Sequence, residues 1–186
     1  MSNRFPEFLL ESIRLRRIRP DDLSAVHAGL SNPQVTAHYG VSYSSLEATD
    51  EQMRWFERIL AEETGIWWAI ADLESDAMLG ACGLNDRCQE HRRIELGYWL
   101  LPQHWRRRLL SEALPVILRH AFEHMGVHRI HADVEPENVA SWALLDKVGF
   151  QREGTLRDVE FKNGHYLSLH QYSLLADDAA ALAFCR

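Results

Sequence analysis

From Ile94 to Phe150 the chain reads IELGYWLLPQHWRRRLLSEALPVILRHAFEHMGVHRIHADVEPENVASWALLDKVGF, and this stretch constrains the fold most. A strand over Arg93–Leu101 stops at Pro102, and a tight basic loop, Gln103 to Arg108, follows. A helix is then predicted, because Leu109, Leu110, Ala113, Leu114, Ile117, Leu118, Ala121 and Phe122 recur at the spacing of one buried face. Met125-Gly126 closes it, with Pro115 expected to kink it unless it lies in the first turn. Arg129 to Glu135 alternates, Ile130, Ala132 and Val134 against His131, Asp133 and Glu135, until Pro136 ends the strand. Asn138 stands as the N-cap of a second helix that Gly149 ends, with Phe150 returning to the core. Two strands joined by a helical crossover make a βαβ unit. At its loop-to-helix junction, backbone amides without intrahelical partners suit a phosphorylated ligand. Arg106, Arg107 and Arg108 add charged donors there, although three arginines in a row also describe a solvated surface cluster.

The rest of the chain builds around this unit. Residues 1–12 read as a loosely held lead-in, and Ile13–Ile18 as a strand. Pro20-Asp21-Asp22 opens a helix with acidic residues toward its positive end, and Asn32-Pro33 breaks it. Val35 to Thr49 is polar, aromatic and turn-rich; it serves equally as a substrate-contacting loop or a surface connection. Glu47 to Glu62 is helical, and Ile66–Leu73 with Met78–Leu84 form a hairpin. A last hairpin turns at Asn163-Gly164, flanked by Glu160 and His165. With 186 residues and no repeat or linker, one domain spans 1–186.

In the strand Arg93–Leu101 the pleat sends Ile94, Leu96 and Tyr98 one way and Glu95, Gly97 and Trp99 the other. A mid-strand glycine marks a bulge or the close approach of a backbone or ligand. Glu95 sets a carboxylate beside that gap, either as a functional group or as a solvated partner for an arginine. A net charge of -7 argues against bulk nucleic-acid binding. Three cysteines, Cys82, Cys88 and Cys185, show no metal spacing and read as free thiols in a reducing compartment. His120, His124, His128 and His131 lack the helical carboxylate pattern of a zinc site, so no metal is expected. No run of 18 apolar residues and no leader pattern occurs, so a soluble cytoplasmic protein with no membrane partner is expected.

The order of a strand with Glu and Gly, a basic loop, a helix, a strand and then N-x-x-S-x-x-L-L-x-K-x-G-F (Asn138–Phe150) resembles the GNAT acyltransferases. The segment Glu153–Arg157 and the run Tyr172-Ser173-Leu174-Leu175 resemble the RimJ/RimL-like ribosomal-protein N-terminal acetyltransferase branch. The resemblance implies an α/β fold: a mixed, largely antiparallel sheet of six to seven strands, helices on both faces and a central splayed parallel pair. It further implies acetyl-CoA as acetyl donor, a primary amine as acceptor, and direct attack on the thioester. The coenzyme would meet Tyr98, Trp99, Leu100, Gln103, Arg106, Arg107, Arg108, Leu109, Leu110, Ser111, Asn138 and Ser141. Glu95 would be the base and Ser141 the acid, since Leu145 stands where many relatives carry a tyrosine. Tyr39, Glu95, His131 and Ser168 would face the acceptor; Ser168 replaces an aspartate common in the branch. An α-amine ionises near 7.7–8.0 and a lysine near 10.4, so a modest base favours a protein or peptide N-terminus. A small amine or polyamine is the alternative, as is a non-catalytic module, because Arg106 and Arg108 replace the two loop glycines of the family. Relatives often form homodimers; these residues leave the assembly state open.

Overall fold

The computed structural model describes residues 5–185. Its sheet has eight strands: β1 Phe8–Leu9, β2 Ile13–Arg17, β3 Ile66–Asp72, β4 Met78–Cys88, β5 Arg93–Leu100, β6 Arg129–Val134, β7 Gln151–Lys162 and β8 His165–Leu175. They lie in the order β1-β2-β3-β4-β5-β6-β8-β7. Every neighbouring pair is antiparallel except β5 with β6, which the helical crossover makes parallel. The helices are α1 Leu23–Leu30, α2 Pro33–Thr36, α3 Leu46–Ala61, α4 Leu109–His124, α5 Val139–Val148 and α6 Ala179–Phe184.

Eight strands exceed the six to seven expected, and the extra one comes from the lead-in. Residues 5–12 are not loose. Trp68 Nε1 donates to Pro6 O at 2.7 Å, and the rings of Phe5 and Phe8 tilt against Trp68 with centroids 5.9 and 6.1 Å away. A buried indole needs both an apolar neighbour and an acceptor, and this segment supplies both. Residues 1–4 of the expected lead-in lie outside the described residues.

The sheet separates two cores. Trp68, Ile70, Leu84, Ile94 and Leu96 pack with Leu114, Ile117 and Leu118 of α4 and Leu145 of α5. On the other face Trp67, Ala69, Ala81 and Trp99 pack with Val26 and Leu30 of α1 and Phe56 and Ile59 of α3. Adjacent tryptophans 67 and 68 thus serve opposite cores, as strand alternation requires. Arg16, 2% exposed, binds both oxygens of Asp22 at 2.8 and 2.9 Å and ties β2 to the turn before α1. Asp76 contacts the same guanidinium at 3.0 Å. Breaking such a buried pair from one side costs about 3–5 kcal/mol, because the surviving charge stays desolvated.

Candidate active site

The parallel pair is joined only at its start. Arg93, Ile94 and Glu95 match Arg129, Ile130 and His131 in register, and the pairing then ends. Both strands continue, β5 to Leu100 and β6 to Val134. Beyond Glu95 they therefore diverge. The edge of β5 that faces β6 has no strand partner there, while its other edge stays bonded to β4 through Leu96, Gly97, Tyr98, Trp99 and Leu100. Glu95 and His131 sit at the apex of this slot.

Pleating decides which side of the slot each group serves. Glu95, Gly97 and Trp99 share the face covered by α1 and α3, and so do His131, Asp133 and Glu135 through the register of β6. Gly97 is there for a neighbour within the core, not for a ligand: a Cβ would lie 2.7 Å from Trp67 Cζ2. Its cross-strand partner Gly83 is tighter still, with a Cβ 2.2 Å from Trp67 Cγ. The indole lies across both glycines and donates to Asn85 Oδ1 at 3.2 Å, opposite Glu95 in the β4–β5 ladder. Burial pushes the Glu95 carboxyl up from 4.5 to about 7, with Asp86, Asp133 and Glu160 adding like-charge repulsion. Burial also raises the phenol of Tyr39, and the Glu95 carboxylate adds to that effect. Sequence reading left these distant carboxylates out of the site, apart from Glu160 as a hairpin flank.

His131 Nδ1 is buried and bonds to no described residue, and burial lowers the imidazole's pKa. Glu135 accepts from Lys162 Nζ at 3.1 Å and lies 2.6 Å from His38 Nδ1, while Lys162 also donates to Ala37 O at 2.7 Å. This cluster straps the loop after α2 to the final hairpin, on the side of Glu95. Ser168 shares the strand parity of His170, Tyr172 and Leu174, which pair with the residues of β6 that face away from Glu95. Its hydroxyl accepts from Asp158 N at 3.2 Å, where β7 bulges with Asp158 at a positive φ of 51°. Expected at the acceptor, Ser168 is occupied with the hairpin's shape.

On the other side of the sheet stand Tyr98 and helix α5. Asn138 caps α5 by accepting from Ser141 N at 3.2 Å, and Gly149 ends it at φ 104°. The cap starts α5 at Val139, which places Ser141 in its first turn, where its hydroxyl meets Tyr98 of β5. Tyr98 Oη lies 2.8 Å from Ser141 Oγ, and burial pushes the phenol up to about 12 against the downward pull of that bond. Sequence analysis took Tyr98 as a neighbour of the coenzyme and missed its hydroxyl. The alternation of β5 does set Tyr98 opposite Glu95, but nothing local shows what it meets.

The loop before α4 has a nest-like form. Arg106 and Arg108 adopt φ of 62° and 63°, the left-handed region that glycine enters freely and arginine enters at about 1–2 kcal/mol. None of the amides from Arg106 to Ser111 donates to another described residue. Successive unpaired amides in such a bend, at the positive end of a 16-residue helix, form an anion cradle. The side chains of Arg106, Arg107 and Arg108 are exposed around it, and Gln103 is exposed at its entrance. Leu109 is buried beneath it, and Leu110 and Ser111 are partly buried. Trp99 and Leu100 are buried, and the Leu100 carbonyl already accepts from Trp105 Nε1 at 2.9 Å. The amides thus stay open to an anion despite the absence of both glycines.

A family model described as an acetyltransferase (GNAT) domain matches residues 12–151. The chain is 35% identical over 172 residues to YoaA of Bacillus subtilis strain 168, an uncharacterized N-acetyltransferase, covering 92% of this chain and 97% of that one. It is 20% identical over 169 residues to the ribosomal-protein-serine acetyltransferase of Escherichia coli K12, covering 90% of this chain and 94% of the relative. Among solved structures, the spermidine N-acetyltransferase of Vibrio cholerae in complex with CoA and spermine matches at TM-score 0.78 and 22% identity, over 88% of this chain and 95% of that one. The last is a likeness of fold. No helix among the described residues is long and apolar enough to cross a membrane.

Proposed function

We propose a reaction from one premise, that the chain belongs to the acetyltransferase (GNAT) family: an acetyl group passes from acetyl-CoA to the α-amine of a protein or peptide N-terminus. The observation that carries this reading is Glu95, a carboxyl near pKa 7 at the apex of the slot. An α-ammonium gives up its proton near 7.7–8.0, so transfer to Glu95 is close to balanced. A primary amine ionising near 10.4 would face a steeper transfer.

The acceptor enters on the face of Tyr39, His131 and Glu95, and acetyl-CoA on the face of α4 and α5. Amides from Arg106 to Leu110, with the arginine side chains, hold the pyrophosphate. The pantetheine arm lies along the freed edge of β5, from Tyr98 to Leu100, with Asn138 beside it. The amine nitrogen attacks the thioester carbonyl carbon, and its proton goes to Glu95. As the carbon–sulfur bond breaks, its electron pair leaves on sulfur, where the Ser141 hydroxyl meets it.

A second reading has a specific observation behind it. Asp86, Asp133 and Glu160 surround Glu95 closely enough to raise its pKa, and such a field attracts a multiply charged amine. The structural relative from Vibrio cholerae is named for spermidine, the relative from Escherichia coli for a ribosomal-protein serine. The test is CoA release from acetyl-CoA with a Ser-started peptide, the same peptide with a blocked N-terminus, and spermidine. The α-amine reading expects turnover of the free peptide alone. Faster turnover of spermidine would transfer the assignment to polyamines, and no turnover of either would overturn both.

A further inference from the structure

We infer that Tyr98 is a positioning residue for Ser141: its hydroxyl donates to Ser141 Oγ and so turns the serine's own proton toward the departing sulfur. This rests on the reading of Ser141 as the group at the sulfur. The two oxygens lie 2.8 Å apart, and Ser141 O is the other acceptor within reach of Tyr98, at 3.4 Å. Asn138 Oδ1 takes the Ser141 amide, so the local partners of Ser141 are fixed on both its polar groups. A serine hydroxyl alone rotates freely between an acceptor and a donor role. With Tyr98 as donor, one lone pair of Ser141 Oγ is filled and its proton is directed away from the ring.

The chemistry decides between positioning and proton supply. A full relay would move the serine proton to sulfur and the tyrosine proton to the serine, leaving a tyrosinate in a partly buried site. The phenol is held near 12, whereas a thiol ionises near 8.5, so that transfer runs uphill. Tyr98 therefore stays protonated. The thiolate leaves under a hydrogen bond from Ser141 and takes its proton from solvent after release. Amine loss to Glu95, acetyl transfer and thiolate departure then balance without a charge on Tyr98.

Single-turnover acetyl transfer at saturating acetyl-CoA tests this with Tyr98→Phe, Ser141→Ala and the double variant. Ser141→Ala is expected to slow the step about 100-fold, at the low end for one hydrogen-bond donor aimed at developing negative charge. Tyr98→Phe should slow it about 10-fold, the size of one oriented hydrogen bond, with the Kd for acetyl-CoA unchanged and the Tm lowered by only about 2–4 °C, the loss of that bond from the folded state. The double variant should match Ser141→Ala. If the two losses multiply, Tyr98 acts independently of Ser141 and the inference falls. A full-speed Tyr98→Phe overturns it as well. A full-speed Ser141→Ala would instead remove Ser141 from the chemistry, and the role of Tyr98 with it.

Discussion

Glu95→Gln is expected to weaken the enzyme and strengthen the fold, and the two effects share one cause. In an unfolded chain the carboxyl ionises near 4.5, and in the folded protein near 7, through burial first and then the repulsion of Asp86, Asp133 and Glu160. The folded state thus holds this proton more tightly than the unfolded state does. By linkage, the folded protein loses stability as pH rises from about 4.5, and the loss is complete just above pH 7. A pKa difference of about 2.5, at 1.36 kcal/mol each, caps the penalty at about 3 kcal/mol. Solvent reaches the mouth of the slot, and screening reduces this to about 1–2 kcal/mol. The amide carries no charge at any pH, so the variant escapes the penalty. At about 2–4 °C per kcal/mol, Glu95→Gln should raise the Tm by about 2–8 °C at pH 8.5, with most of that gain absent at pH 5. The rate should move the other way. Wild-type kcat/KM should fall tenfold per pH step below about 7, whereas the variant should be about 100-fold slower, with its acid limb moved up to the acceptor amine's own value of about 7.7–8.0. Calorimetry and a pH–rate series read the two arms. An equal Tm change at both pH values would refute the burial argument, and an acid limb that stays near 7 in Glu95→Gln would refute Glu95 as the base.

Three further experiments probe the loop, the cap and the floor of the slot. Arg106→Gly with Arg108→Gly removes left-handed strain but adds chain entropy, so stability should change by less than about 1 kcal/mol. Acetyl-CoA affinity should fall about tenfold per arginine and lose part of its salt dependence in titrations; unchanged binding would show that these side chains do not touch phosphate. Asn138→Ala deletes the side-chain acceptor of the Ser141 amide and should cost about 1 kcal/mol, measured by denaturant midpoint, together with weaker acetyl-CoA binding. Gly83→Ala should destabilise by about 1–3 kcal/mol and more than Gly97→Ala, since its Cβ would sit 2.2 Å from Trp67 Cγ against 2.7 Å from Cζ2; the reverse order in thermal melts would contradict the packing described.

The sequence by itself determined what neighbours along the chain can decide. Pro102 and Pro136 end two strands because they cannot extend a ladder, and Asn138 and Gly149 bound a helix because its terminal groups need partners. Alternation set Glu95 and Tyr98 on opposite faces before any contact was known. The order of strand, basic loop, helix and strand specified a parallel pair with a phosphate-sized turn. Tertiary structure decided what depends on distances through space. The place where β5 parts from β6, just after Glu95, is read only from the pairing, since the sequence implied a splayed pair through resemblance and no residue in either strand marks the point. The lead-in became a strand only because Trp68, some sixty positions on, offered a ring and an indole N–H. Arg106 and Arg108 hold the glycine-like bend, which composition would have denied them. The raised carboxyl of Glu95 sums contributions from Asp86, Asp133 and Glu160, and Tyr98 meets Ser141 across 43 positions of chain. Propensity and pleat act over a few residues, whereas fields and hydrogen-bond geometry act over ångströms, and only the folded chain brings the two into register.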